Sequence, residues 1–237
     1  MQVCGGTLGV FVGAALALRG VSVAVVERGV IAGRTQDWNI SRKELAEIVA
    51  MGVLTAEEAE EAVGIEFNPN RCGFKGGEDI WVQGVLNLGV KPAVLIEKAK
   101  QRLLDNGGRV LERTPLDAVV VRPDSVQLAL QTPEGAQTLT ARLMLDCMGH
   151  NSPVVSQLRW GQKPDGVCLT VGSCSRGFTQ NTTSDVIYTC EPISGNRQYF
   201  WEAFPAASHP TDRTTYMFTY LDAHPDRPSL EQVRTHH

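Results

Sequence analysis

The run Val3-Cys4-Gly5-Gly6-Thr7-Leu8-Gly9 constrains this chain more than any other stretch. Behind it, Val10-Phe11-Val12-Gly13-Ala14-Ala15-Leu16-Ala17-Leu18-Arg19 is small and apolar throughout, which predicts a buried helix that Gly20 stops. Val21 to Val26 then reads as a buried strand, and Glu27 closes it. Strand, glycine turn, helix, strand and acid, in that order, make a dinucleotide-binding βαβ unit.

Each part has a physical job. Gly6 lacks the Cβ that would keep the backbone away from a pyrophosphate. Gly9 lets the helix pack closely on the strand, with Gly13 and Ala17 on the same face. The helix N-terminus offers unpaired N–H groups and partial positive charge to phosphates. Glu27 can accept hydrogen bonds from the ribose hydroxyls of an adenosine, which favours FAD or NAD over a 2′-phosphorylated cofactor. Aligning Gly6 and Gly9 with the fingerprint puts Cys4 where its first glycine stands. The alternative is a structural glycine turn in an unrelated α/β protein.

The net charge of −4 gives no basic footprint for nucleic acid. The six cysteines, at 4, 72, 147, 168, 174 and 190, form no Cys-x-x-Cys pair and no zinc-spaced cluster. They read as reduced, mostly buried thiols of a reducing, soluble compartment. No apolar run is long enough for a membrane span. The glycine-broken N-terminus lacks the basic start of a signal peptide. Only Gln2 and Val3 precede the turn, whereas a strand in this position is expected to be longer. The chain is therefore expected to be a fragment, with any transit peptide lost upstream.

Further along, Asn39-Ile40-Ser41 is expected to start a helix, with Ser41 and Glu44 as a capping box and Gly52 as its end. Thr55-Ala56-Glu57-Glu58 repeats that logic and opens an acidic helix to about Val63. Asn68 to Gly77 reads as turn-rich, Ile80 to Val82 as a short strand, and Pro92 to Asp105 as a helix ended by Asn106-Gly107-Gly108. Arg109 to Leu111, Ala118 to Arg122 and Val126 to Gln131 read as strands. Thr138 to Leu145 is one extended run ending at Asp146. Leu143 to Leu145 is expected in the parallel sheet beside the first strand. The turn Cys147-Met148-Gly149 would then lie beside the first glycine turn, at the carboxyl ends of the strands of a doubly wound sheet. Asp146 either holds that turn by an Asx-type bond or contacts a cofactor, and Gly149 allows close backbone approach. From Pro164 onward, four strands of an antiparallel sheet are expected at Val167 to Cys174, Asp185 to Cys190, Gln198 to Phe204 and Thr214 to Leu221. Aromatics concentrate there, and a helix is expected from Ser229.

With both turns in view, the chain resembles the FAD-dependent oxidoreductases of the p-hydroxybenzoate hydroxylase fold. It looks closest to the branch of lycopene cyclases, geranylgeranyl reductases and flavin halogenases, and is similar to plastid FAD/NAD(P)-binding oxidoreductase proteins of plants and algae. The residues that carry this are Gly5 to Gly9, Glu27-Arg28, Gly33 to Arg42, Asp146 to Val154, Lys163 to Cys168, Gln198 to Pro205 and Pro210 to Tyr216. Monooxygenases of this fold read Asp-Gly at the second turn; here Met148 precedes Gly149 and the acid is Asp146. The family's later Gly-Asp motif is expected beyond residue 237.

The resemblance implies an α/β protein: a Rossmann-like FAD/NAD(P)-binding domain with a parallel sheet, plus an antiparallel β substrate domain. The division is residues 1–63 for the FAD-binding βαβ unit and following helices, and 64–90 for an excursion toward the substrate domain. Residues 91–155 form the rest of the FAD-binding domain with a β-meander, and 156–237 a truncated substrate domain. The implied cofactor is FAD, with NAD(P)H as a further candidate. The implied cofactor-binding residues are Gly5, Gly6, Thr7, Leu8, Gly9, Glu27, Arg28, Arg34, Arg42, Asp146 and Gly149. The substrate is expected to be an apolar small molecule, isoprenoid or carotenoid-like, with contact to a membrane surface left open and a chloroplast location implied. Two other readings remain. Tyr199-Phe200-Trp201-Glu202-Ala203 is similar to a lycopene cyclase segment, in which Glu202 would be the catalytic acid of a non-redox cyclisation. Otherwise Glu202 faces outward on an alternating strand. The last reading is a flavin-fold protein that binds a partner without catalysis.

Overall fold

The computed structural model describes residues 2–162, 164–195, 197–222 and 224–235. Lys163, part of the resemblance, lies outside them. In chain order the elements begin β1 (Gln2–Cys4), α1 (Gly6–Ala17), β2 (Ala24–Val26), β3 (Trp38–Ile40), α2 (Arg42–Ala50), α3 (Ala56–Ala62) and β4 (Val63–Glu66). They continue with β5 (Asn70–Gly73), β6 (Ile80–Val82), β7 (Leu88–Val90), α4 (Pro92–Asp105), β8 (Arg109–Leu111), β9 (Leu116–Val121), β10 (Val126–Thr132) and β11 (Gly135–Ala141). Last come β12 (Met144–Asp146), α5 (Pro153–Leu158), β13 (Gly166–Arg176), β14 (Ser184–Tyr188), β15 (Phe200–Pro205), β16 (Asp212–Asp222) and α6 (Leu230–Arg234). The chain forms two compact units. One takes the residues up to Arg34, Ala46–Glu61 and Pro92–Trp160; the other takes Thr35–Leu45, Ala62–Lys91 and the residues from Gly161 onward.

The first unit is built on a parallel sheet of order β12-β1-β2-β8. Strands this short alternate faces, and the alternation is used fully. Val25 turns toward α1, where a Cβ on Gly13 would come within 2.9 Å of its Cγ2 and 3.6 Å of Leu103 in α4. Val26 turns the other way and packs with Leu128 and Leu130 of β10, joined by Leu111, Leu116 and Met144. The far face is therefore covered by the antiparallel meander β11-β10-β9 and not by helices, which corrects the doubly wound expectation. The second strand is also shorter than expected: Val21 and Ser22 are exposed, and the ladder starts at Ala24. The expected run Thr138 to Leu145 divides in two, because Gly135–Ala141 pairs with β10 while Met144–Asp146 pairs parallel with β1.

The second unit holds a six-stranded sheet, β13-β16-β15-β14-β5-β6, and a small sheet, β3-β7-β4. The four expected antiparallel strands form one side of the large sheet, with two additions. β5 joins β14 in parallel, so the stretch read as turn-rich is an interior strand. Its fully buried Asn70 side chain donates to the Val85 carbonyl and accepts from Ser184 Oγ at 2.7 Å, which satisfies a polar group inside the sheet. Trp38–Ile40 is also a strand, paired with β7, and the helix begins at Arg42, directly after its expected cap Ser41. Its capping box is formed: Ser41 N–H donates to Glu44 Oε2 at 2.9 Å and Glu44 N–H to Ser41 Oγ at 3.3 Å. Tyr199, Met217 and Val233 of α6 close the other side of this unit's core.

Candidate functional site

The parallel sheet of the first unit ends in two turns that meet. Gly5, at φ +63°, and Gly6, at φ +75°, turn the chain from β1 into α1. Cys4 stays in the ladder, opposite Asp146 and Val26, so the fingerprint's first glycine is not needed there; Gly5 and Gly6 make the turn. Gly5 N–H donates to the Val26 carbonyl at 2.7 Å, tying the turn to β2. A Cβ on Gly6 would lie 2.7 Å from the carbonyl oxygen of Cys147, in the turn after β12. The two turns expected to lie together therefore do.

Helix α1 has no side-chain N-cap and no acid in its first turn. Its anionic partner comes from across the sheet. Glu27 Oε2 accepts from Gly6 N–H at 2.9 Å, and Oε1 accepts from Gly29 N–H at 2.8 Å. A carboxylate has about four lone-pair positions, so acceptor capacity remains for a ligand hydroxyl. Beside it opens a cavity of about 320 Å³, lined by Gly5, Gly6, Glu27, Arg28, Thr114, Met148 and their neighbours. Thr114 and Pro115 had no signal in the sequence. They arrive because Thr114 N–H donates to the Glu27 carbonyl at 2.9 Å, extending the β2–β8 pairing past the strand ends.

The other expected residues divide. Thr7, Leu8 and Gly9 form the first turn of α1, with Leu8 exposed and Gly9 buried. Asp146 takes the turn-holding role: its Oδ1 accepts from Met148 N–H at 2.9 Å and its Oδ2 from Ser152 Oγ, which in turn caps α5 by accepting from Val155 N–H. Gly149 has φ +61°, a backbone conformation that favours glycine, and no protein atom lies within 4 Å of a Cβ placed on it. Burial and the Asp146 charge push the Cys147 thiol up. Arg34 is exposed and does not line the cavity, and Arg42 belongs to the second unit, where it pairs with Glu66 at 2.8 Å.

In the second unit, register puts Gly172, Tyr216 and Glu202 in one row across β13, β16 and β15. Gly172 leaves room for the Tyr216 ring, which a Cβ would meet at 2.6 Å. On the same face, Phe200 and Phe218 stack at 5.6 Å, Tyr220 and Phe74 meet Phe200 edge-on, and Phe204 stacks on Phe67 at 5.8 Å. Glu202 therefore shares the aromatic face and is not the outward residue of an alternating strand. It is half-buried, and its Oε1 accepts from the Asn39 amide of β3. Burial pushes its carboxyl pKa up, and the Asn39 bond opposes part of that rise. Among the described residues no cluster could hold a metal ion and no helix is long and apolar enough to cross a membrane.

No protein-family model and no curated protein matches this chain. Solved structures do. The chain is similar to CmlS, a flavin-dependent halogenase, with a TM-score of 0.72 at 17% identity over 99% of this chain and 43% of that one. It is similar to aklavinone-11 hydroxylase, solved in a ternary complex with FAD and aklavinone, with a TM-score of 0.66 at 18% identity over 99% and 48%. A flavoprotein/dehydrogenase from Cytophaga hutchinsonii aligns with a TM-score of 0.64 at 15% identity over 92% and 55%. The chain thus has the fold of these flavoproteins and spans about half of their length.

Proposed function

We propose that this chain carries the cofactor-binding and substrate-facing units of an FAD-dependent oxidoreductase. The observation that carries this reading is the crowding at Gly6, where two strand-end turns approach so closely that only a glycine fits, at the N-terminus of α1 beside a cavity lined by Glu27. A helix N-terminus in this position is where a phosphate would bind, and Glu27 stands where a ribose hydroxyl would find an acceptor. The flavoprotein fold favours FAD among the dinucleotides. FAD, when bound, supplies the redox chemistry that no side chain here provides. The chain's own part is to hold the phosphates at the N-terminus of α1, beyond the two amides the turn itself uses, hold the ribose on Glu27, and keep water from an apolar substrate. NAD(P)H is the proposed source of reducing equivalents.

For the substrate we propose an apolar molecule with extended flat surface, isoprenoid or carotenoid-like, lying on the Phe200, Phe218 and Tyr220 face. The motif from Gly33 to Arg42 supports the lycopene cyclase and geranylgeranyl reductase branch, and with it a plastid location. A second reading rests on Glu202. A carboxyl held toward its protonated form on an aromatic face is placed to donate a proton, as a non-redox cyclisation requires.

The experiment is the absorption spectrum of the purified chain after incubation with FAD and gel filtration. Retained flavin that is lost on Gly6→Val is the expected result. Flavin that never binds, or binds the variant equally, overturns the reading. Product analysis then separates the two reactions: reduction changes the substrate's oxidation state, cyclisation does not.

A further inference from the structure

Apolar side chains exposed one at a time are ordinary on a protein surface; here the most exposed ones gather. Among the described residues the three large apolar side chains most open to solvent are Trp160 at 87%, Leu158 at 77% and Val121 at 76%. All three belong to the first unit. Leu158, at the end of α5, and Val121, at the end of β9, line one groove together with Leu116, Val119 and Val154. Trp160 follows in the turn that closes α5, where its backbone N–H donates to the Gln157 carbonyl at 3.3 Å.

Each of these points has an arginine beside it. Arg122 follows Val121, and Arg159 lies between Leu158 and Trp160. Both arginines are exposed, and neither has a carboxylate partner among the described residues; Arg122 reaches only the Gln127 side-chain oxygen, at 3.3 Å. Two acids belong to the same strand and the turn after it. Asp117 stands near the other end of β9, where it accepts from the Gln131 amide at 2.6 Å, and Asp124 accepts from Ser125 Oγ at 3.0 Å.

We propose that this surface docks on an anionic lipid membrane. Val121, Leu158 and Trp160 enter the boundary between headgroups and acyl chains, and Arg122 and Arg159 stay at the level of the lipid phosphates. Side chains that project this far suit a medium they can enter, whereas a protein partner needs a pocket for each. A second copy seated on the same surface sets the unpaired arginines of one chain against those of the other. Tryptophan is favoured at the headgroup level, since its ring is apolar and its indole N–H finds an acceptor there. The proposal goes beyond the flavin reading and does not depend on it.

The test is sedimentation of the full chain with vesicles of phosphatidylcholine alone and of phosphatidylcholine mixed with phosphatidylglycerol. The chain is expected to bind the mixed vesicles more tightly, with its tryptophan emission moving to the blue. Trp160→Leu should abolish that shift and keep the binding. Leu158→Ser should weaken binding about tenfold through lost apolar burial. Arg159→Gln should weaken it about fivefold, a difference that high salt removes. These side chains are exposed, so the variants should keep the urea midpoint of the parent. Failure to bind either vesicle, which would leave a protein partner, overturns the proposal. So does equal binding to both vesicles, unchanged binding by Leu158→Ser, or self-association of the chain that Leu158→Ser abolishes.

Discussion

Gly6 and Gly20 share one backbone angle and differ in what surrounds them, which makes alanine at each a controlled pair. Both have φ +75°. A Cβ on Gly20 meets nothing within 4 Å, so Gly20→Ala carries only the cost of a left-handed alanine, about 1–2 kcal/mol. A Cβ on Gly6 meets the Cys147 carbonyl oxygen at 2.7 Å. That atom is backbone, so it cannot rotate away, and the turn after β12 must shift by roughly half an ångström to restore van der Waals contact. Overpacking of this kind adds about 1–3 kcal/mol. Gly6→Ala should therefore cost about 2–5 kcal/mol, against a typical total of about 5–15 kcal/mol. Both glycines lie in the first unit and report on the same unfolding event. Urea unfolding followed by circular dichroism should show the midpoint falling by about 0.5 M for Gly20→Ala and by about 1–2 M for Gly6→Ala. FAD binding should be kept by the first variant and lost by the second. Equal midpoints would show that the two turns do not press on each other, and the phosphate site argued from that contact would go with them.

Glu27→Ala removes the acceptor for Gly6 and Gly29 N–H and the proposed ribose partner, so FAD should bind about tenfold or more weakly by titration calorimetry; an unchanged dissociation constant counts against the assignment. Asp212 is held by Arg176 and Ser208 at a pKa of about 2, below its ordinary value, so its contribution to the β13–β16 pair is present above pH about 4 and lost as pH falls toward 2. A carboxyl ¹³C titration of Asp212 checks this, and an ordinary midpoint contradicts it. Glu202 is shifted the other way, by burial, so the folded state binds its proton more tightly than the unfolded chain does, and stability falls as pH rises through its range. Glu202→Gln keeps an acceptor for Asn39 and removes the buried charge, so it should raise the melting temperature at pH 7 but not at pH 4; equal effects at both would remove the case for a shifted acid.

What could be read from the chain was whatever is local. The glycine turn, the helix behind it, the box at Ser41 and Glu44, and the apolar strand before Asp146 are each set by residues within a few positions of one another. What could not be read depends on distant partners. β3, β4 and β7 are three or four residues long, too short for a period to emerge, and exist because they pair with one another. β5 is polar because Asn70 spends its side chain on Ser184, 114 positions away. The run from Thr138 to Asp146 carries no turn signal where it leaves one sheet for another, since only the partner changes, from β10 to β1.

The same distinction separates the two acids that end parallel strands. Glu27 and Asp146 are alike in sequence: each closes an apolar run and precedes a glycine-containing turn. Asp146 has a short side chain, and both of its oxygens are used within six residues, on Met148 and Ser152. Glu27, one methylene longer, uses one oxygen locally on Gly29 and reaches with the other across to Gly6, 21 positions back. The first geometry fixes a turn and leaves its acid off the cavity wall. The second puts a carboxylate at a helix N-terminus on the wall of a cavity, with acceptor capacity left over. Side-chain length, acting through where the glycine turn sits, keeps one acid within its own turn and brings the other to the cavity wall, where the proposed binding role would use it.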